Sequence, residues 1–146
     1  VRIFEERIRE KSLALKLNIE ENVGSIKGDA FKLEQMFINL VDNAVKYTPS
    51  GGKVTFSVLR EKENIFARIL DTGIGIPEEE QEKIFEGFYR TQKAKATGEI
   101  GTGLGLSIVK KLTERWQLGL ELESSPGSGT TFTVTIPLTR ISHKFA

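Results

Sequence analysis

The sequence predicts an α+β fold: a two-layer α/β sandwich in which a mixed, mostly antiparallel sheet carries its helices on one face. Three observations point there. Four stretches alternate apolar and polar residues and fall into two pairs, each pair joined by a short polar or glycine-rich turn, which signals hairpins. Two stretches, around residues 35–47 and 105–116, repeat their apolar residues at helical spacing. Helices and hairpins come in blocks rather than in strict alternation, which segregates the helices to one layer. The 146 residues, 38% of them hydrophobic, suffice for one domain with a real core.

Taken in order, Val1 to about Ala14 carries Ile3, Phe4 and Ile8 among charges, as a short amphipathic helix does. Leu13 to Glu20 alternates, so its second half reads as a strand. Asn22 to Gly28 reads as a loop with a short strand at Ser25-Ile26-Lys27, and Asp29 as the N-cap of the next helix. That helix, Gln35 to Tyr47, has no Gly or Pro and stops at Thr48-Pro49-Ser50-Gly51-Gly52. On it Gln35, Asn39, Asn43, Lys46 and Tyr47 share a polar stripe, beside an apolar stripe of Leu33, Phe37, Leu40 and Ala44. Lys53–Leu59 and Ile65–Asp71 form a hairpin about Glu61–Asn64. Pro77 followed by Glu78, Glu79 and Glu80 predicts a helix to about Phe85. Gly87 to Gly101 has no period and reads as a long mobile loop. Gly101-Thr102-Gly103-Leu104-Gly105-Leu106 opens a helix bearing Ile108, Val109, Leu112 and Trp116. Leu118–Glu123 and Thr131–Ile136 are strands joined by the turn Ser125–Gly129. Residues 1–138 thus form the domain and 139–146 a tail with little to hold it.

Composition narrows the function. A net charge of +1 with no basic run argues against a nucleic-acid partner. No apolar run is long enough to span a membrane, and there is no signal peptide. Cysteine is absent, which excludes disulfides and thiolate metal sites, and the one histidine, His143, cannot build a zinc site alone.

Two carboxamides, an ammonium and a phenol ring along one helix suit an anionic ligand carrying a metal and a flat ring. Read alone, the same stripe also fits a surface helix whose asparagines face water. Asp71 ends a strand and enters Asp71-x-Gly73-x-Gly75, where a carboxylate can accept a hydrogen bond from an exocyclic amine and glycines let a ligand approach; alone, this too is only a turn. Gly101, Gly103 and Gly105 lead straight into a helix, whose free N–H groups bind phosphate oxygens. No strand runs directly into them and no Gly-Lys-Ser/Thr follows, so they are neither a dinucleotide fingerprint nor a Walker loop.

The ordered set is more specific than its parts. The Asn-rich helix, Asp71-x-Gly73-x-Gly75, Ile84-Phe85-Glu86-Gly87-Phe88-Tyr89-Arg90, Gly101 to Leu106, and Gly127-Ser128-Gly129-Thr130 follow one another over nearly the whole chain. This resembles the catalytic and ATP-binding domain of two-component sensor histidine kinases, in the wider ATPase group that includes DNA gyrase and MutL. The segments match that family's N box, first glycine box, F box, and second and third glycine boxes, and imply its Bergerat-type ATP-binding fold. The resemblance implies ATP with Mg²⁺. Asn43 is then the metal ligand with Asn39 beside it, Lys46 a phosphate contact, and Tyr47 a neighbour of the adenine. It implies that Asp71 binds the adenine amine, partly through water shared with Thr130, and that Gly73, Gly75 and Ile76 line the base pocket. Tyr89 and Arg90 begin the lid, with Arg90 reaching the terminal phosphate, while Gly101, Thr102, Gly103, Leu104, Gly105 and Leu106 wrap the phosphates. Asn39, Asn43, Lys46 and Arg90 carry the catalysis in this reading.

Hydrolysing relatives place a glutamate where this chain has Asn39, and a carboxamide is no general base near neutral pH, so the resemblance favours phosphoryl transfer over hydrolysis. The chain departs from the pattern at Gly87, at Glu99-Ile100, and at Trp116-Gln117-Leu118-Gly119, which replaces a His-Gly-Gly turn. The implied partners are a histidine-bearing helical dimerisation domain of the same kinase and a response regulator receiver domain. His143 lies at the wrong end to be the acceptor, and the chain reads as an excised domain: a monomer by itself, from a homodimeric parent. Its place is the cytoplasm, whether or not the parent is membrane-anchored. Two other readings stay open, a nucleotide-binding module without kinase activity and an anti-sigma-type serine kinase on the same fold.

Overall fold

In the computed structural model, residues 4–21, 30–87, 89–97 and 105–138 are described. The first helix, α1 (Glu5–Glu10), is short and has no fully buried residue; Ile8 packs against the core, and Phe4 just before the helix is buried. Strand β1 (Ala14–Ile19) leads towards the long helix α2 (Ala30–Tyr47). The expected strand at 25–27 and the cap at Asp29 lie outside the described residues. On α2, Leu33, Met36, Leu40 and Ala44 are buried at successive steps of three and four residues, so one stripe faces the core. The helix stops where Thr48 Oγ1 donates to Ala44 O at 2.6 Å, ahead of Pro49.

Strands β2 (Lys53–Glu61) and β3 (Asn64–Asp71) form the first hairpin, with Lys62 in the left-handed region at φ 58°. Strands β4 (Gly119–Ser124) and β5 (Thr130–Pro137) form the second. The five-stranded sheet has the order β1-β2-β3-β5-β4. Only β1 with β2 is parallel, because α2 crosses between them; the other pairs are antiparallel. Helix α4 (Gly105–Arg115) packs beside α2, and both lie on the same side of the sheet, completing the expected two layers.

Register aligns the inner face. Ile65, Ala67 and Ile69 of β3 stand opposite Ile136, Val134 and Phe132 of β5, and all six are buried. Phe132 meets Phe85 edge to face at 6.3 Å, and Phe37 of α2 meets Phe56 of β2 at 5.7 Å.

Two expectations need correction. The segment after Pro77 is two single 3₁₀ turns, Glu78–Glu80 and Lys83–Phe85, rather than one helix. Its backbone closes i to i+3 bonds (Glu80 N to Pro77 O, Glu86 N to Lys83 O), and a stretch this short gains too few bonds to propagate an α-helix. Within the expected loop after Gly87 there is a short helix, α3 (Gln92–Ala96). Thr91 caps it, its Oγ1 accepting from Ala94 N at 3.0 Å.

Candidate functional site

The inward row of β3 does not end with an apolar residue. One more step of strand alternation puts Asp71 on the core face, directly opposite Thr130. Both are buried, at 6% exposure each. Asp71 Oδ1 accepts from Gly73 N at 2.8 Å and from Thr130 N at 3.2 Å. Those bonds favour the carboxylate, but loss of hydration outweighs them, and the pKa stands raised from 3.8 to about 6. Among the described residues no donor reaches Oδ2, and Asp71 lines an open cleft. At neutral pH it is an aligned acceptor awaiting a donor.

The glycine-rich turn after β3 is stapled to the second hairpin. Ile76 N donates to Ser124 Oγ at 2.8 Å, and Ser124 Oγ donates to Gly129 O at 2.9 Å. Thr130 Oγ1 lies 2.9 Å from the same hydroxyl. Gln81 Nε2 donates to both Ile76 O and Ser124 O at 3.0 Å. Gly75 needs to be glycine here: its φ is +73°, and a Cβ would overlap Ser125 O. Gly73 does not line the cleft; it supports the site through its N–H on Asp71.

The opposite wall is α2. Asn39, Asn43, Lys46 and Tyr47 all face the cleft, joined by Asp42, which spacing alone did not single out. Lys46 Nζ lies 2.8 Å from Asp42 Oδ2, one helical turn away. Asp42 Oδ1 takes Arg7 Nη1 of α1 at 3.0 Å. Asn39 Nδ2 is buried without a hydrogen-bond partner among the described residues, and Asn39 faces Gly105 at the start of α4. Arg90 Nη2 donates to Tyr47 Oη at 3.4 Å and to Ala94 O at 3.3 Å, which ties the α3 segment to α2. Tyr89 donates to Glu80 Oε1 at 2.7 Å, and that bond holds its phenol above the ordinary pKa.

The cleft so formed is about 180 Å³ and is lined by two unlike sets of residues. The sheet and the glycine turn offer the acceptor Asp71 with Ile74, Gly75, Ile76 and Thr130; the helices offer Lys46, the two asparagines and Gly105 with Leu106. Arg90 lines it as well. This arrangement suits a ligand with a flat, amine-bearing head and an anionic tail. Of the residues expected from sequence, Asn39, Asn43, Lys46, Tyr47, Asp71, Gly75, Ile76, Tyr89, Arg90, Gly105, Leu106 and Thr130 line this one cleft. Gly101, Thr102, Gly103 and Leu104 lie outside the described residues. Ile74, Ile84, Thr91 and Ala94 also line it and were not anticipated. Ile74 could have been found, since it sits between the two glycines, and Ile84 and Thr91 lie within or beside the Ile84–Arg90 motif; Ala94 has no signal of its own.

Among the described residues there is no cluster of three His, Cys, Asp or Glu able to hold a metal, and no helix long and apolar enough to cross a membrane.

Comparison with known proteins gives concordant matches. Residues 28–140 match the profile described as histidine kinase-, DNA gyrase B-, and HSP90-like ATPase. The adaptive-response sensory kinase SasA of Rippkaea orientalis is 41% identical over 138 residues, covering 94% of this chain and 35% of its own length. This chain therefore spans about a third of that relative. The nucleotide-free catalytic domain of histidine kinase ThkA superposes with a TM-score of 0.78 at 30% identity, covering 93% of this chain and 87% of that one. The structure of ThkA in complex with response regulator protein TrrA matches with a TM-score of 0.76 at 28% identity, over 95% of this chain and 38% of that one.

Proposed function

This chain belongs to the histidine kinase-, DNA gyrase B- and HSP90-like ATPase family, and from that premise we propose that it is the ATP-binding catalytic domain of a two-component sensor histidine kinase. It transfers the γ-phosphoryl group of ATP to a histidine on a separate helical dimerisation domain. The domain comprises residues 1–138, with 139–146 as a tail.

One observation carries the choice of transferase over hydrolase. Only two carboxylates line the cleft among the described residues, Asp71 and Asp42. Asp71 sits at the head-group end, and both oxygens of Asp42 are engaged by cations. Asn39 cannot take a proton, so among the described residues the phosphate side has no free base to activate water. What it does have is charge and fixed geometry, which suffice for phosphoryl transfer to a nucleophile brought from outside.

In this reading Asp71 Oδ2 accepts from the adenine amine, and Gly75 and Ile76 flank the base. Gly73 supports Asp71, and Tyr47 and Thr130 bound the same pocket. Lys46 and Arg90 bind phosphate oxygens, with Tyr89 anchoring the segment that carries Arg90. Gly101 to Leu106 complete the phosphate side. The residues fit Mg²⁺ bound largely by nucleotide and water: the cation prefers oxygen, and the wall offers carboxamides rather than an acidic cage. Asn43 would hold it, with Asn39 alongside, and the unpartnered Asn39 amide suits a phosphate oxygen. Bound there, the metal would neutralise phosphate charge. As the imidazole nitrogen bonds to the γ-phosphorus, the bond to the bridging oxygen breaks and ADP departs with that electron pair.

The phosphoryl group then passes to an aspartate of a response regulator, which the ThkA–TrrA structure supports by likeness. We place the domain in the cytoplasm, where ATP and regulator are found, as a monomer within a homodimeric parent. The test is reconstitution. Mixed with Mg·ATP and a separately made histidine-bearing helical hairpin, the chain should label the hairpin with acid-labile phosphate. Acid-stable label would indicate a serine kinase, and nucleotide binding with no transfer to any such hairpin would leave only a binding module.

A further inference from the structure

Asp42 is one carboxylate shared by two cations from different helices. Its Oδ2 meets Lys46 Nζ at 2.8 Å, and its Oδ1 meets Arg7 Nη1 at 3.0 Å. All three side chains are partly buried, at 33% exposure for Arg7, 30% for Asp42 and 21% for Lys46. The same helix reaches the backbone of Lys46 as well. Lys11, the C-cap of α1, donates from Nζ to Val45 O and to Lys46 O, each at 2.8 Å. A cation there satisfies carbonyls that the end of α2 leaves open and suits the negative end of its dipole. Lys46 is thus held from α1 at its carbonyl by Lys11 and at its ammonium through Asp42.

From this geometry we infer that Arg7 is a positioning residue for the phosphate end of the cleft, acting on Lys46 through the shared carboxylate of Asp42. The inference rests on the nucleotide reading above. The charges explain why the third member matters. Asp42 and Lys46 alone make a neutral pair, in which both carboxylate oxygens compete with an incoming phosphate for the ammonium. Arg7 occupies Oδ1, so the trio carries a net positive charge and Lys46 keeps donors free for the ligand. Arg7 lies on α1, which contributes no residue to the cleft lining, so the phosphate end responds to the seating of a helix outside it.

The test compares ATP with adenosine, which has the head group and no phosphates. Arg7→Gln should weaken ATP binding by calorimetry roughly two- to fivefold, the size of one partly exposed ion pair, and leave adenosine unchanged. Arg7→Lys should restore most of the loss. In an Asp42→Asn background the Arg7→Gln change should be silent. Unchanged ATP affinity in Arg7→Gln overturns the inference. So does a parallel loss for ATP and adenosine, which would mean that α1 is merely structural. A loss that persists in the Asp42→Asn background also overturns it, because Arg7 would then act by its own field. A wild-type chain that binds neither ligand would sink the nucleotide reading itself, a result distinct from all three.

Discussion

Replacing Asp71 by Asn should make the chain more stable and a worse ATP binder, and the two signs together are diagnostic. The carboxylate is desolvated by the core row it continues, and its pKa is raised from 3.8 to about 6. Keeping it charged at pH 7 therefore costs the folded state about 3 kcal/mol. Asparagine removes that charge and can keep Oδ1 on Gly73 N and Thr130 N, though as weaker, neutral bonds; roughly 1 kcal/mol of the gain is returned. A net stabilisation of about 1–2 kcal/mol, or about 2–8 °C in Tm, is expected. Binding moves the other way. With the oxygen committed to the backbone, the amide nitrogen faces the cleft, a donor meeting a donor. The lost bond to a charged acceptor is worth about 1.5–3 kcal/mol, so ATP affinity should fall roughly tenfold to a hundredfold. Thermal melts of the free chain and calorimetric titration with ATP give the two readouts. Unchanged affinity removes Asp71 from the site, and a variant that melts earlier refutes the desolvation argument.

Further outcomes follow from the same geometry. Because the folded pKa of Asp71 is raised, the folded chain binds more protons than the unfolded one between about pH 4 and 6, so this group's contribution to stability falls as pH rises through that window; ATP affinity, which needs the carboxylate, should instead rise with pH through about 6. Both slopes, taken as wild type minus Asp71→Asn, should be visible in urea titrations and calorimetry across that range. Asn43→Ala should abolish the Mg²⁺-dependent part of ATP binding and leave adenosine binding intact, as a titration with and without the metal would show. Gly75→Ala should destabilise the chain by more than about 2 kcal/mol, since its φ of +73° and the backbone of Ser125 leave no room for a methyl group. Gln117→Gly should raise stability by about 0.5–1 kcal/mol, because Gln117 holds φ 53° just beyond α4, where glycine carries no strain. Chemical denaturation measures both.

What the sequence made legible was local. The period of α2 located most of its buried stripe, with Met36 buried where Phe37 is the expected residue, and most of its polar wall; the alternation of β3 carried through to Asp71. Hairpin grammar likewise gave the sheet its antiparallel majority. Contacts between distant segments were not legible. Asp42 has no motif of its own, and its pairing with Arg7, 35 residues away, shows only in the fold. Ser124 and Gln81, which staple the glycine turn to the last hairpin, have no motif of their own. Proline and acids after Ile76 mark a helix start without saying whether enough bonds follow, so the 3₁₀ turns there are not legible as such. The helix α3 is too short to show a period, and it is fixed by its Thr91 cap.

The two hairpin turns do the same covalent job, yet they sit at opposite ends of the sheet. The one at Lys62 and Glu63 is exposed and far from Asp71 along β3. The one at 125–129 is wedged against the glycine turn, with Gly127 N bonded to Ile74 O and Gly129 packed on the backbone of Asp71. Lengthening the first by a tag or a whole inserted module should leave recognition of the purine untouched, making it the natural port for a reporter. A single extra residue in the second would slide the register that sets Thr130 opposite Asp71, and the binding pocket would lose its floor.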